Sequence, residues 1–535
     1  MRSPALPTVV LGDSDLGIDA FVAVARGGAA VELSPQYLAR VNRSRALVEK
    51  FLAQNRLVYG VTTGFGENVT QVVSPADAQQ LQHNIVRSHA VSVGEPLEHE
   101  LVRAVQLMLL VSLGQGYSGV RAELLALIAA MLNRGVVPYA PADGSVGYLA
   151  VEAHMALVLI GEGQAWFDGR LMPGAQALAA AGLAPLALQC KEGLALTNGT
   201  TSVTAIAAMA LKNAKGSCDV ADIAAAMSLE GLRGTARALD ARYHLAKAHP
   251  EQRRTAARIA NLLQGSALIA KNLDYRLQDS YCLRGIPQIH AACRQVVLDA
   301  QRTVELEMRS TGDNPIVFPI GDDSDDGIAM SGANFDGTYV GMAADALCVA
   351  MTNLAKVSER RTDRMVNPRL SELPAFLVKN PGLNSGYMIA QYTAAGLVSE
   401  MRILSHPATT DSIPTSGNQE DPVSFAYGAA LKAYRVSRKL EIVLAIELMA
   451  ACQALDFFDP AHAAPATHAV YQRIRQEVPT VQADRFFHPD IVAITEQLRS
   501  GAIVAAAQTV VGAGFFAREA FEGQVYPPAP RSAVA

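Results

Sequence analysis

The sequence has 535 residues, of which 50% are hydrophobic and 18% are charged, so the chain can bury a large core. Its 45 basic residues are matched by 50 acidic ones, without a basic block along the chain. The formal net charge of -5 argues against an electrostatic grip on nucleic acid or anionic lipid. We expect the partner to be a small molecule or another copy of the chain.

The six cysteines lie far apart and form no Cys-x-x-Cys pair that would suggest a zinc site. They are typical of buried free thiols in a cytoplasmic protein. The N-terminus has no apolar signal core, and the longest apolar runs, such as 442–446, are too short to span a bilayer. We therefore expect a soluble cytoplasmic protein that contacts no membrane.

In chain order, the pattern predicts a strand at 8–11, a helix at 35–55 and then a glycine-rich loop at 58–66. This loop is either an ordinary surface connection or a lid over a ligand, and its composition does not decide between them. Further helices are predicted at 76–89, 99–115 and 121–133. His89 ends the first of these, where a histidine is usually a helix cap or a surface residue.

The stretch 141–163 begins as a turn with Gly144 and Gly147 and continues as a helix that is apolar nearly all round. Backbone N–H groups at the start of such a helix can polarise whatever lies against them. A hairpin turn is predicted at 166–170, and a long alanine-rich helix is predicted to open at 191–200.

The main non-helical insertion is predicted between 313 and 335, with a strand at 316–318 and a turn at 321–327. This turn carries Asp322, Asp323, Asp325 and Asp326. It lacks the ligand spacing of a calcium loop, so we predict a solvated turn and no metal. Beyond 337 the pattern predicts helix after helix, and the helix at 427–455 has the apolar surface of a buried core.

The sequence lacks the motifs of nucleotide-binding loops, zinc proteases and serine hydrolases. What remains is a set of polar residues within apolar helices. Any one of them alone is more simply explained as a satisfied buried hydrogen-bonding group. The set comprises Tyr59, His89, Asn198, Gln278, Tyr281, Arg284, Asn334 with Phe335, and the run 416–421.

Several local motifs change that interpretation when they are read together. They are Tyr-Gly-Val-Thr-Thr-Gly-Phe-Gly at 59–66, Gly-Ser-Val-Gly at 144–147, Lys-Glu-Gly-Leu-Ala-Leu-x-Asn-Gly-Thr at 191–200, Tyr-x-Leu-Arg-x-x-Pro-Gln at 281–288 and Asp-Asn-Pro at 313–315. With these motifs the chain resembles the histidine and phenylalanine ammonia-lyase superfamily from about residue 33 to 487. The resemblance implies a mainly α-helical fold, with an N-terminal active-site domain at 1–205 and an elongated helical bundle at 206–535. It also implies a homotetramer in which each site draws residues from more than one subunit.

The resemblance implies an electrophile made from the chain itself. The family carries Ala-Ser-Gly directly after Gly-Ser-Val-Gly, and this triad cyclises to a methylidene-imidazolone. Here Gly147 is followed at once by Tyr148, and the family's next residues, Asp-Leu-Ala-Pro-Leu, are replaced by the run from Tyr148 to Glu152. We hypothesise that the protein carries the modified triad between Gly147 and Tyr148 and that the sequence as written omits it.

The resemblance also implies roles for the other polar residues. Tyr59 lies on the loop over the active site, and Tyr281 is the candidate base that removes the β-proton. Arg284 suits bidentate binding of the substrate carboxylate. Asn198 supports the carboxylate or the electrophile, while Gln278 and Phe335 line the pocket.

Two places in the sequence bear on the substrate. Ser88-His89 matches the pair found in histidine lyases and in some tyrosine aminomutases, and the run 418–421 with Glu420 matches histidine lyases. A carboxylate can accept an imidazole N–H, but it would be left unpaired against a phenyl ring. Histidine is therefore the first candidate. The alternatives are another aryl amino acid as substrate, an aminomutase reaction, or an inactive homologue without the electrophile.

Overall fold

The computed structural model describes residues 8–64, 66–74, 77–321 and 326–528. These residues are mostly helical, which confirms the predicted fold class. They divide into two compact units. The first unit consists of Met1–Lys212, Ala300–Asp345 and Pro407–Tyr434, and the second of Asn213–Asp299, Ala346–His406 and Arg435–Ala535. The first unit thus adds two later segments to the N-terminal part, while the division at residue 205 stays a prediction.

The α-helices follow one another in chain order. They are α1 (Ile18–Ala25), α2 (Pro35–Ala53), α3 (Ala78–His89), α4 (His99–Leu113), α5 (Ala122–Arg134), α6 (Ala150–Leu159), α7 (Gly174–Ala180), α8 (Glu192–Thr197), α9 (Thr201–Gly231), α10 (Ala241–Leu245), α11 (Pro250–Leu262), α12 (Ala267–Asn272), α13 (Tyr281–Arg284), α14 (Ile286–Met308), α15 (Thr338–Val366), α16 (Pro368–Ser371), α17 (Met388–Leu404), α18 (Ala426–Leu455), α19 (Pro465–Arg475), α20 (His488–Arg499) and α21 (Ala502–Val511). Most of the predicted helices are confirmed, because a long periodic apolar face is a strong local signal.

The described strands all belong to the first unit and are short. They are β1 (Val9–Leu11), β2 (Val31–Leu33), β3 (Val93–Pro96), β4 (Val137–Pro138), β5 (Pro141–Asp143), β6 (Gln164–Phe167), β7 (Arg170–Pro173), β8 (Ile316–Pro319) and β9 (Gly327–Met330). Strands β1 and β2 pair in parallel, whereas β3 with β5, β4 with β6, β6 with β7 and β8 with β9 pair antiparallel. The predicted hairpin turn joins β6 to β7, with a positive φ at both Asp168 and Gly169.

The long helices form the core, and the stretches 192–231 and 338–366 are apolar and long enough to cross a membrane by composition alone. Their most apolar windows are 100% and 67% buried inside the protein. A core helix meets the same criteria of length and hydropathy. Helix α18 is likewise buried along its apolar part, as its sequence predicts.

One predicted helix is interrupted, and the interruption matters for the site. The sequence predicts a long helix opening at 191–200, but α8 ends at Thr197 and α9 begins only at Thr201. Between them Asn198 is extended, and Gly199 has a φ of +112°, which glycine adopts without steric cost. The break leaves Asn198 outside both helices, with its side chain available for contacts that a helix would not allow.

Candidate active site

A cavity of about 630 Å³ lies within the first unit, a volume typical of small-molecule sites. It is lined by side chains from α3, the turn before α6, the break between α8 and α9, and the loop 415–420. Six of the predicted site residues line it: Tyr59, His89, Tyr148, Asn198, Phe335 and Glu420. Gly147 lies between Val146 and Tyr148, both of which line the cavity. Residues far apart in the sequence therefore share one cavity.

The turn between β5 and α6 is strained where the family carries its electrophile. Leu149 has φ +78° and ψ -61°, and the Ala150 N–H donates to the Tyr148 carbonyl at 3.1 Å. This is a γ-turn of the rare positive-φ kind. The Leu149 N–H also donates to the Thr197 carbonyl at 2.9 Å, which ties the turn to the end of α8 beside Asn198. Such strain is typical of functional sites.

Tyr59 lies on the glycine-rich loop, within the cavity. Its hydroxyl oxygen accepts the Gly66 N–H at 3.0 Å, and Phe65 of the same loop lies outside the described residues. Burial raises the pKa of Tyr59, the Gly66 N–H opposes this, and the charge of Glu420 reinforces it. The phenol is therefore held protonated at neutral pH, which suits a hydrogen-bond donor better than a base.

Two aromatic rings form one wall of the cavity. Tyr148 and Phe335 meet edge to face, with ring centroids 5.0 Å apart and planes at 75°. Burial raises the pKa of Tyr148, helped by the charges of Glu420 and Asp336, so this phenol also stays neutral. A wall of this kind suits a flat ring as ligand.

Glu420 is the one carboxylate among the described residues that line the cavity. Its backbone pairs with Thr415, whose N–H donates to the Glu420 carbonyl at 2.8 Å, and the Thr415 hydroxyl donates to Glu420 Oε2 at 3.2 Å. The turn between them is left-handed, with positive φ at Ser416, Gly417 and Asn418. This strained turn holds the carboxylate at the cavity.

His89 ends α3, and its Nδ1 lies 3.0 Å from the Ser88 hydroxyl oxygen. Burial lowers the pKa of His89, against a smaller opposing effect of the Ile85 backbone. The imidazole is therefore neutral near pH 7. Because Glu420 and a neutral histidine line the same cavity, the cavity suits a ring that donates N–H.

Known proteins match both this sequence and this fold. A family model described as aromatic amino acid lyase matches residues 16–476. A histidine ammonia-lyase of Symbiobacterium thermophilum is 45% identical over 95% of this chain and 99% of its own. The structure of a histidine ammonia-lyase from Trypanosoma cruzi aligns with a TM-score of 0.88 and 37% identity over 99% of this chain and all of its own. A tyrosine aminomutase from Streptomyces globisporus aligns with a TM-score of 0.88 and 35% identity over 94% of this chain and 99% of its own.

The chain belongs to the aromatic amino acid lyase family. The protein is therefore a carbon–nitrogen lyase, and the resemblance found in its motifs is confirmed.

Three predicted site residues of the lyase lie in the second unit, on the segment around α13. Gln278, Tyr281 and Arg284 are all exposed, and 65% of Tyr281 is accessible to solvent. The Arg284 guanidinium lies 5.2 Å from the centroid of the Tyr281 ring. These three are not among the described residues that line the cavity. A phenol, a guanidinium and an amide are therefore displayed together on a surface of the single chain.

The surroundings of the turn between β5 and α6 fit the family's electrophile. Polar side chains of Tyr59, Asn198 and Glu420 line the same cavity as the turn residues Val146, Tyr148 and Leu149. The residues of the turn do not supply the group. Cyclisation needs a serine followed by a glycine whose amide nitrogen can attack, and neither 145–147 nor 146–148 has that order.

Sequence reasoning missed four residues at or behind the cavity wall. Asn314 lines the cavity and contacts Asn198, and the buried pair of Lys191 and Asp313 lies behind it, although the motifs at 191–200 and 313–315 contain all three. The fourth is Glu152, which is fully buried and accepts the Ser202 N–H at 3.0 Å near the start of α9. Burial raises the pKa of Glu152. An acidic residue within the apolar sequence of α6 was the signal that could have revealed it.

Proposed function

We propose that this lyase eliminates ammonia from L-histidine and releases urocanate. The observation that carries the proposal is Glu420, a carboxylate held at a cavity that is also lined by a neutral His89 and an aromatic pair. The curated relatives that support it are named histidine ammonia-lyases. A carboxylate accepts the imidazole N–H of histidine, but it would be desolvated without a partner against a phenyl ring.

In the proposed reaction each residue has a defined task. Glu420 accepts the ring N–H, Arg284 binds the substrate carboxylate with two parallel hydrogen bonds, and Asn198 adds a further donor. Tyr281 removes the β-proton as general base, and the Arg284 guanidinium lies 5.2 Å from the centroid of its ring. If the modified triad stands between Gly147 and Tyr148, it would supply the electrophile that makes the amino group a leaving group.

We further propose that Gln278, Tyr281 and Arg284 reach the cavity of another subunit in a homotetramer. Their exposure in the single chain supports this arrangement, because catalytic groups rarely work while open to bulk water. Exposed apolar side chains such as Tyr339, Leu383 and Ile403 are typical of surfaces that pack against another copy. The six free thiols support a cytoplasmic location.

Two alternatives each have one observation in their favour. A tyrosine aminomutase shares the fold, and the Ser88-His89 pair resembles that of some tyrosine aminomutases, so the amino group could move to the β-carbon. An inactive homologue would follow from a true absence of the triad between Gly147 and Tyr148. Incubation with histidine, tyrosine, phenylalanine and their β-isomers separates the three. Ultraviolet absorbance detects a conjugated acid, chromatography detects a β-amino acid, and neither product forms on an inactive homologue.

Glu420→Gln tests the choice of substrate. We expect kcat/KM for histidine to fall about 10- to 100-fold, because a charged hydrogen bond is replaced by a neutral one, while turnover of phenylalanine is unchanged or improved. Steady-state kinetics with both substrates measures the difference. Glu49→Gln, at an exposed carboxylate paired with Arg45, is the control and should change neither value. Equal losses on the two substrates for Glu420→Gln would contradict a specificity role.

Mass spectrometry of the peptide that spans 141–162 tests the electrophile. We expect a mass above that of the written residues by Ala, Ser and Gly less two waters, which is the mass of the cyclised triad. A mass equal to the written residues would show that the turn runs directly from Gly147 to Tyr148, and the inactive homologue would then replace the lyase.

A further inference from the structure

Asn198 is held by hydrogen bonds that determine which face of its amide meets the cavity. Its Oδ1 accepts the Gly199 N–H at 3.0 Å, and its Nδ2 donates to the Asn314 carbonyl at 3.1 Å. Exchange of the amide oxygen and nitrogen would break both contacts, so the pattern assigns the orientation. The second hydrogen on Nδ2 remains, and Asn198 lines the cavity. The side chain is thus set to donate.

The Asn314 carbonyl is positioned in turn by a buried ion pair. Asp313 Oδ2 accepts from Lys191 Nζ at 2.6 Å, and Asp313 Oδ1 accepts the Asn314 N–H at 2.7 Å. The Lys191 and Asp313 side chains are 0% and 2% exposed. The Asn314 side chain is held as well, because its Oδ1 accepts the Gly332 N–H at 3.0 Å. One carboxylate therefore links the lysine to the backbone that orients Asn198.

A buried ion pair is a poor device for stability alone. Removing two charges from water costs free energy that their attraction often does not recover, and apolar residues of similar size hold a core as well. An apolar pair could not, however, orient the 313–314 peptide with one oxygen while the other anchors a lysine. The arrangement suits a positioning role better than a packing role.

We propose that the Lys191–Asp313 ion pair is a positioning device that aims the Nδ2 donor of Asn198 at the carboxylate of the bound amino acid. The inference rests on the proposed function, because it takes an aromatic amino acid as the ligand of the cavity. Lys191 and Asp313 act through Asn314 and Asn198 and do not touch the ligand. Their removal should therefore have no effect of its own once the Asn198 donor is gone.

A double-mutant cycle on the full-length protein tests this dependence. The dissociation constant of urocanate, the proposed product, which keeps the carboxylate and is not consumed in the absence of ammonia, is measured by calorimetry for wild type, Asn198→Ala, Asp313→Asn and the double variant. We expect each single change to weaken binding about 10- to 100-fold, as for loss of a hydrogen bond to a charged group, and the double variant to match Asn198→Ala within about twofold. Additive losses, or no loss in Asp313→Asn, would overturn the proposal.

Two further variants keep the result interpretable. If Asp313→Asn does not fold, the pair Lys191→Met with Asp313→Asn replaces it in the same cycle, since it leaves no unpaired charge buried. Arg361→Met, which breaks a buried ion pair in the second unit, is the control variant. Any change that it makes in the binding free energy should simply add to the change made by Asn198→Ala. Wild type that binds urocanate but does not turn over histidine would overturn the lyase proposal and still leave this cycle measurable, so the two failures are distinguishable.

Discussion

Tyr281→Phe is expected to lower the rate of ammonia elimination about 10²- to 10⁴-fold, the contribution of a general base. The protein should still fold and assemble, because 65% of the tyrosine is exposed and the ring remains. Steady-state kcat with histidine measures the loss, and circular dichroism with size-exclusion chromatography checks fold and assembly. The substrate should still bind, since Arg284 and Glu420 are unchanged.

Tyr243→Phe is the matched control for this change. Tyr243 is also 65% exposed and lies in the second unit, so removal of its hydroxyl tests the general effect of losing a surface phenol. Its rate should equal that of wild type. Retention of more than a few per cent of the rate in Tyr281→Phe would move the base elsewhere. Tyr59 is the next candidate, although its raised pKa makes it a weaker choice.

Arg361→Met is expected to reduce the free energy of unfolding by about 3–5 kcal/mol, because it leaves the Glu447 carboxylate buried without its cation. Arg361 Nε and Nη2 lie 2.5 and 2.9 Å from the two Glu447 oxygens, and both side chains are 0% exposed. The Ser228 hydroxyl also donates to Glu447, at 2.7 Å. Guanidinium denaturation monitored by fluorescence and circular dichroism measures the change.

The double variant Arg361→Met with Glu447→Leu is the matched control. It removes both charges and fills the space with apolar groups, so most of the lost stability should return. Arg361 also contacts His290 Nε2 at 3.3 Å, and burial lowers the pKa of that histidine with help from the Arg361 charge. A loss below about 1 kcal/mol in Arg361→Met would contradict the prediction, because exposed pairs already account for that much.

Local patterns in the sequence were sufficient for most of the helices and for the hairpin at 166–170. Helix α18 illustrates why: its apolar residues recur on every face, and such a surface is stable only when other helices cover it. The break at Asn198 was not predicted, because alanine-rich sequence on both sides favours a continuous helix. Gly199 and the Asn314 carbonyl decide otherwise, and the latter lies more than a hundred residues away in the chain.

Only part of the candidate site could be predicted from the sequence. The motifs around Tyr59, Asn198 and Tyr281 identify the family and its chemistry, and the family is confirmed. Their roles in this protein stay predictions. No local pattern indicated that Lys191 and Asp313 form a buried pair, because a charged residue in a motif is as compatible with contact to a ligand as with contact to another side chain.

The sequence alone therefore established the helical class, the family and the chemical identity of the candidate groups, since these depend on composition, periodicity and short motifs. The tertiary structure decided which groups share a cavity: Tyr59, His89, Tyr148, Asn198, Phe335 and Glu420 line it, whereas Tyr281 and Arg284 are exposed in the other unit. The tertiary structure also decided the protonation of Tyr59, because burial raises its pKa. It decided the orientation of the Asn198 amide, because that amide is hydrogen-bonded to Gly199 and Asn314. The physical reason is that desolvation and hydrogen-bond partners come from residues distant in the chain, which no local pattern encodes.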